Sequence, residues 1–301
     1  VPFADATIDL HHLGRAEAVA CRLLDTSAGP VLVDPGPAST LDTLHDELAA
    51  RGVAPHDLHA LLLTHIHFDH AGASGVLAQA HPGLTVYVHP AGAPHLAEPR
   101  RLVASATRIY GDAMDRLWGP ILPVPEGQLR LLDDGSRLTL GDRTFAVQHT
   151  PGHAVHHAAF LDEGTGIAYV GDTAGIRSPA APVALPVTPP PDFDLEAWLA
   201  SLERLEGWSP AQLFITHFGI VETPASHLSD IRDGLIAWTA QVRQLLLDSA
   251  IGEGEHAAHF HAWVLGSVRD LVPEPHRERL AAFADFRAGF HGIARYVGRR
   301  S

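Results

Sequence analysis

Apolar positions along this chain switch between strand-like and helical spacing. Residues 17–25 and 30–34 are dense in apolar side chains around a turn at Ser27-Ala28-Gly29, which predicts two paired strands. Ser39 and Thr40 then precede Leu41, Leu44 and Leu48, one face of a helix that Gly52 stops. Ala60-Leu61-Leu62-Leu63 is an apolar run too short for a free-standing helix, so it reads as a buried strand. Residues 72–80 read as helix and 84–88 as strand. From 99 to 118 the period becomes helical through Leu102, Ala106, Ile109, Tyr110, Ala113 and Leu117, with Gly111 as a weak point. Strand patterns return at 129–132, 137–140, 144–148, 157–161 and 167–170, with turns at Asp134-Gly135 and Gly141-Asp142.

Residues 179–191 are proline-rich and predict an irregular loop. Asp194 opens a helix with Leu195, Leu199, Leu202 and Leu205 inward, and 213–215 is a further strand. Thr223-Pro224 looks like an N-cap followed by proline at the first helical position. Beyond it Leu228, Ile231, Leu235, Trp238, Val242 and Leu245 form one stripe, and helices are expected over 256–269 and 275–296. The predicted organisation is one domain over 1–222, with a helical insertion at about 99–119, and an all-helical C-terminal region over 223–301. A faint repeat runs through the first domain. Val33-Asp34-Pro35-Gly36, helix, Leu62-Leu63-Thr64-His65 is echoed by Val170-Gly171-Asp172-Thr173, helix, Phe214-Ile215-Thr216-His217. Two similar strand-helix-strand halves place both Thr-His ends at one sheet edge.

Composition narrows the class. The chain has 301 residues and is 46% hydrophobic, which reads as globular. The net charge of −14 repels phosphate backbones and argues against a nucleic-acid partner. A lone cysteine, Cys21, sits in an apolar segment and is expected to be buried and inert. No apolar run reaches the length of a membrane span, and the N-terminus lacks a basic and apolar leader, so a cytoplasmic protein without a membrane partner is expected. Self-association into a homo-oligomer is left open. There is no lysine; every Lys/Arg position is arginine.

Candidate chemistry lies directly after the buried run. Thr64-His65-Ile66-His67-Phe68-Asp69-His70 offers three imidazoles and a carboxylate, donors suited to zinc, iron, nickel or copper. In an extended loop His65 and His67 point the same way and can share an ion, while Asp69 and His70 follow the bend and can face a second. The plain alternative is a histidine-rich turn with Asp69 as a helix cap. His153, Asp172 and His217 each adjoin a predicted strand and extend the donor set. Most other histidines, including His11, His12, His256, His259 and His261, read as loop or surface residues, with His156 and His157 near the site in sequence. No Gly-x-Ser-x-Gly occurs, so a serine nucleophile elbow is absent.

The His-x-His-x-Asp-His loop, Pro151-Gly152-His153, Gly171-Asp172 and Thr216-His217, in that order, resemble the metallo-β-lactamase-fold hydrolases over roughly residues 17–219. The resemblance implies an α/β, four-layer αββα sandwich with metals at the sheet edge. It implies two divalent ions, zinc foremost, with iron or manganese as alternatives. His65, His67 and His153 would hold one ion, Asp69, His70 and His217 the other, and Asp172 would bridge them. Asp172 in the bridging position sets the chain apart from lactamases with a cysteine ligand. Glyoxalase II shares the aspartate and a helical C-terminal region, but its glutathione site is expected to use lysines, which this chain lacks.

The resemblance implies a binuclear hydrolase in which a bridging hydroxide attacks a small ester, thioester or lactone, with Asp69 as ligand and proton acceptor. The alternatives are a mononuclear iron oxidoreductase similar to the persulfide dioxygenases, and a metal-binding protein without turnover. Selectivity is expected from the insertion, where Arg108, Tyr110 and Trp118 are candidate substrate contacts, or else core packing residues.

Overall fold

The computed structural model describes residues 3–181 and 183–300. Its strands are β1 (Ala6–Asp9), β2 (Ala20–Leu24), β3 (Val31–Val33), β4 (Ala60–Leu62), β5 (Thr85–Val88), β6 (Leu129–Leu131), β7 (Arg137–Leu140), β8 (Arg143–His149), β9 (Ala158–Asp162), β10 (Ile167–Tyr169), β11 (Ile176–Ser178), β12 (Val183–Leu185), β13 (Gln212–Ile215) and β14 (Gly219–Val221). Its α-helices are α1 (Leu41–Ala50), α2 (Phe68–Ala71), α3 (Ser74–Ala80), α4 (Ala93–Ala97), α5 (Arg100–Tyr110), α6 (Met114–Trp118), α7 (Leu195–Gly207), α8 (Pro224–Leu245), α9 (Glu253–Ser267), α10 (Glu274–Phe283) and α11 (Phe286–Gly298). By compactness the chain divides into two units. The first comprises the chain up to His149, His156–Gly171 and Ala211–Ile220; the second comprises Thr150–Val155, Asp172–Pro210 and the chain from Val221 onward.

The first unit holds two six-stranded sheets, ordered β1-β2-β3-β4-β5-β6 and β14-β13-β10-β9-β8-β7. Strands β3 to β6 run parallel, with β2 and β1 added antiparallel. Alternation along the strands builds the core between the sheets. Val31, Val33, Ala60 and Leu62 come from one sheet, and Phe145, Phe160, Tyr169 and Phe214 from the other. Leu32 and Leu61, of opposite parity, are equally buried, so these strands are covered on both faces. That is why the short run at 60–63 is apolar at every position. Parallel order also places the C-terminal ends of β3, β4 and β5 along one edge, from which the histidine-rich loop 64–70 continues β4.

The second unit is mostly helical. Asp194 accepts a hydrogen bond from the Ala197 N–H at 2.9 Å and caps α7, as the sequence pattern predicts. Trp238 of α8 meets the rings of Phe260 and Phe286 at 5.3 and 5.6 Å, which ties α8 to α9 and α11.

The structure departs from the sequence reading at several elements. The proline-rich stretch is not wholly irregular: β12 pairs antiparallel with β11 through Ile176–Leu185, Arg177–Ala184 and Ser178–Val183. Its three residues are too few for a period to show; Pro182 lies outside the described residues. The helix expected over 275–296 is two, because Asp285 accepts from the Arg287 and Ala288 N–H groups and starts α11 anew. The edge strands β1 and β14 were not expected; each is four residues or fewer.

Candidate metal centre

In the first unit, the chain leaves β4 and bends into the single helical turn α2. His67 is the residue before that turn and Asp69 lies in it. The bend leaves His65 and His67 before the turn and Asp69 and His70 within it, with the His65 and His70 rings still only 4.0 Å apart. His65 Nε2 and His67 Nδ1 face each other at 3.0 Å. His70 Nε2 faces His217 Nε2, brought by the end of β13, at 3.2 Å. Asp69 Oδ2 lies 3.4 Å from His217 Nε2 and 3.9 Å from His70 Nε2. The last three residues form a group able to hold a metal ion.

Hydrogen bonds on the far side of each ring decide what these nitrogens can do. His70 Nδ1–H donates to Asp34 Oδ2 at 2.8 Å, and His217 Nδ1–H donates to the Ala18 carbonyl at 2.8 Å. With both Nδ1 atoms protonated, both Nε2 atoms of the neutral rings carry lone pairs. Neither can donate to the other, so a gap of 3.2 Å between them favours a cation. Donors at zinc–nitrogen distance on a tetrahedron lie about 3.4 Å apart, close to the separations seen here. The donor set therefore fits a divalent metal.

Asp34 organises this arrangement, and the sequence reading took it only for the end of a strand. Its side chain is wholly buried. Oδ1 accepts from the Thr64 N–H at 2.8 Å; Oδ2 accepts from the Thr64 hydroxyl at 2.7 Å, the Thr216 hydroxyl at 3.0 Å and the His70 ring. The Thr64 hydroxyl proton is thus committed to Asp34, and its oxygen accepts from His65 Nδ1–H at 3.1 Å. That leaves a lone pair on His65 Nε2. The internal repeat has its physical reason here, since both Thr-His ends hang their threonines on one carboxylate oxygen. Asp34 has a φ of 49°, a left-handed conformation that aspartate tolerates better than most residues. The one sequence signal for it is its place in that repeat.

His157 and His156 belong to the same surroundings. The wholly buried His157 ring stacks on His65 with centroids 4.8 Å apart. The His156 ring lies 5.6 Å from His67 and 6.1 Å from His65. Gly171 closes this side: a Cβ there would come within 2.5 Å of Thr64 Oγ1 and 2.8 Å of His157 Nε2.

The second unit positions His153 and Asp172. His153 Nδ1–H donates to the Val187 carbonyl at 2.8 Å, and its Nε2 lies 3.3 Å from Asp172 Oδ2. The proline-rich stretch therefore orients a candidate ligand. Gly152, before His153, packs so closely on Trp198 that a Cβ would approach its backbone nitrogen to 2.6 Å.

Of the three insertion candidates, Arg108 is exposed, Tyr110 is 40% exposed and Trp118 is 9% exposed. Trp118 packs in a small apolar cluster with Phe68 of the histidine-rich loop and Ala106. His12 is no loop bystander: it is buried, its Nε2–H donates to the Leu117 carbonyl at 2.8 Å, and its ring stacks on Trp118. His256, expected at the surface, is also buried, on the inner side of α9.

The family model of the metallo-beta-lactamase superfamily matches residues 14–217, and the chain belongs to that superfamily. Its fold is that of the superfamily with a C-terminal helical region. Over 164 residues it is 28% identical to the metallo-beta-lactamase fold-containing protein ST1585 of Sulfurisphaera tokodaii, covering 54% of this chain and 60% of that protein. The crystal structure of ST1585 superposes with a TM-score of 0.67 at 21% identity, over 100% of both chains. A hydroxyacylglutathione hydrolase of Hamiltonella defensa is 29% identical over 138 residues, 46% of this chain and 41% of that enzyme. The chain thus matches less than two thirds of the length of these two curated relatives. TTHA1623, solved in a di-iron-bound form, is 31% identical with a TM-score of 0.53, over 70% of this chain and 91% of that one.

Proposed function

We propose that this protein is a hydrolase that uses two divalent metal ions to cleave a small ester, thioester or lactone. The observation that carries this reading is the group Asp69, His70 and His217, whose two imidazoles turn lone pairs toward one another. The order of motifs assigns His65, His67 and His153 to one ion, Asp69, His70 and His217 to the other, and Asp172 to both. Nitrogen and carboxylate donors suit zinc best, with iron or manganese as alternatives. The hydrolase named among the relatives supports acyl transfer to water, and the di-iron neighbour supports a site for two ions.

When bound, such ions supply a water activated near neutral pH and polarise the substrate carbonyl. Asp69 accepts the water's proton and passes it to the leaving group. It suits that role because its side chain is 19% exposed, whereas that of His70 is wholly buried. Asp34 and Thr64 hold the ring nitrogens deprotonated and aimed, which spares reorganisation during reaction. Arg108, Tyr110 and Trp118 contact the substrate, a compact and partly apolar molecule. Residues 1–222 form the catalytic domain and 223–301 a helical appendage. Among the described residues no helix is long and apolar enough to cross a membrane.

The test is a panel of esters, lactones, thioesters and phosphodiesters on protein of defined metal content. Turnover of one acyl class that tracks metal occupancy supports the proposal. Aerobic oxygen consumption with a persulfide and a single iron would replace it with the oxidoreductase reading. Metal binding with no turnover anywhere would leave a binding protein.

A further inference from the structure

Trp118 carries a buried polar group with no use inside the fold. The residue is 9% exposed, and its indole Nε1–H has no hydrogen-bond partner among the described residues. A buried tryptophan normally satisfies this donor, and leaving it unmade costs stability. Its neighbours explain why none of the described residues accepts it. The ring is stacked on His12 at 5.5 Å, meets Tyr110 edge-on at 5.4 Å and lies 6.1 Å from Phe68. Met114 and Leu102 pack against the same cluster. His12 Nε2 is already committed to the Leu117 carbonyl. A water placed at the indole would find few of the two to four polar partners that hold a buried water.

Position gives the orphan donor a meaning. Phe68 stands between His67 and Asp69, so the indole touches the histidine-rich loop itself. The Tyr110 ring that meets the indole belongs to a residue 40% exposed, so the cluster reaches the surface beside a buried donor. Small-molecule sites combine apolar lining with a few polar groups that fix orientation.

We infer that the Trp118 indole N–H binds a hydrogen-bond-accepting oxygen carried on the apolar acyl group of the substrate. The class of substrate is then an acyl ester or thioester with an ether, keto or hydroxyl oxygen along its chain, in preference to a plain alkyl acyl group. This rests on the hydrolase reading above and adds the selectivity. The indole N–H finds its acceptor only when such a substrate is bound, and a plain alkyl chain leaves it unmade.

The experiment compares p-nitrophenyl methoxyacetate with p-nitrophenyl butyrate, chains of equal length that differ by an oxygen in place of a methylene. Intrinsic reactivity cancels when each is compared between wild type and Trp118→Phe. The variant is expected to lose about tenfold in kcat/KM on the methoxyacetate and less than twofold on the butyrate. Equal losses on both overturn the inference and leave the hydrolase reading intact. A second measurement does not need turnover. In wild-type protein labelled with 15N at tryptophan, the indole signal missing from Trp118→Phe should shift on adding methoxyacetamide and stay put with butyramide. If no ester, thioester or lactone of the panel is cleaved yet that signal shifts selectively, the hydrolase reading fails and the binding site stands. If Trp118→Phe does not fold, the tryptophan signals are assigned by other means, and an indole signal of Trp118 that ignores both amides overturns the inference.

Discussion

Asp34 Oδ2 and His70 Nδ1 lie 2.8 Å apart, and both side chains are wholly buried. The same oxygen accepts from Thr64 and Thr216, so one atom fixes the ring on one side of the proposed second ion and the strand ends on the other. Asp34→Asn keeps the size but replaces one acceptor oxygen with a donor. Whichever way the amide turns, at least one of the donors now satisfied by Asp34 is left facing an N–H. Metal affinity should fall about 10- to 100-fold, and stability by about 1–3 kcal/mol. Competition with a calibrated chelator and a urea melt measure the two. Unchanged affinity would show that Asp34 braces the fold without tuning the metal.

Carefully prepared protein should carry close to two equivalents of zinc, iron or both. Removing them should lower the melting temperature, because a ligand that binds only the folded state stabilises it by mass action. Elemental analysis beside calorimetry checks this. One equivalent with full activity would rule out the binuclear proposal.

Asp69→Asn retains one donor oxygen but loses the charge and the proton acceptor. Turnover should drop by about 10²- to 10⁴-fold while the melting temperature of the metal-free protein stays within a few degrees. Rates near wild type at equal metal content would remove Asp69 from both proton-transfer roles.

What was legible in the chain followed from local spacing. The run 60–63 and the histidines after it gave a strand with a donor loop at its end, because a buried parallel strand is apolar at every position. The helix starting after Asp194 was legible for the same kind of reason, its cap being a contact over three residues. The role of Asp34 was not, since its partners Thr64, His70 and Thr216 stand 30, 36 and 182 positions away. His12 was missed likewise: its partner Leu117 is 105 positions on, and nothing local sets it apart from His11. Strand β12 escaped because three residues between prolines show no period, and only pairing with β11 defines it.

The insertion can be tested by a pattern of effects. Arg108 is exposed and Tyr110 half-exposed, so neither contributes much to the core. Arg108→Ala and Tyr110→Ala should each change stability by less than about 1 kcal/mol. If these residues contact substrate, the ranking of esters will change while metal content holds. A uniform loss on every ester, together with a lower melting temperature, would place them in packing alone.

The pair His89 and His149 gives a pH dependence separate from the metals. Their ring centroids are 3.9 Å apart. Burial, reinforced by the neighbouring His149 and opposed by Asp134, pushes the His89 pKa down from 6.5 to about 4. The Ala91 N–H also donates to His89 Nδ1 at 3.0 Å, a bond that requires that nitrogen to be unprotonated. Between those two values the unfolded chain binds a proton at His89 that the folded chain does not. Stability from this residue is therefore complete above about pH 6.5 and declines as the pH falls toward 4. His89→Gln removes the titration but retains an acceptor for Ala91. In metal-free protein, where acid cannot act by displacing a bound ion and any titration of the candidate ligands is common to both proteins, the urea midpoint of wild type should fall more between pH 7 and pH 4.5 than that of the variant. Parallel curves for the two proteins would show that His89 is not a source of the acid sensitivity.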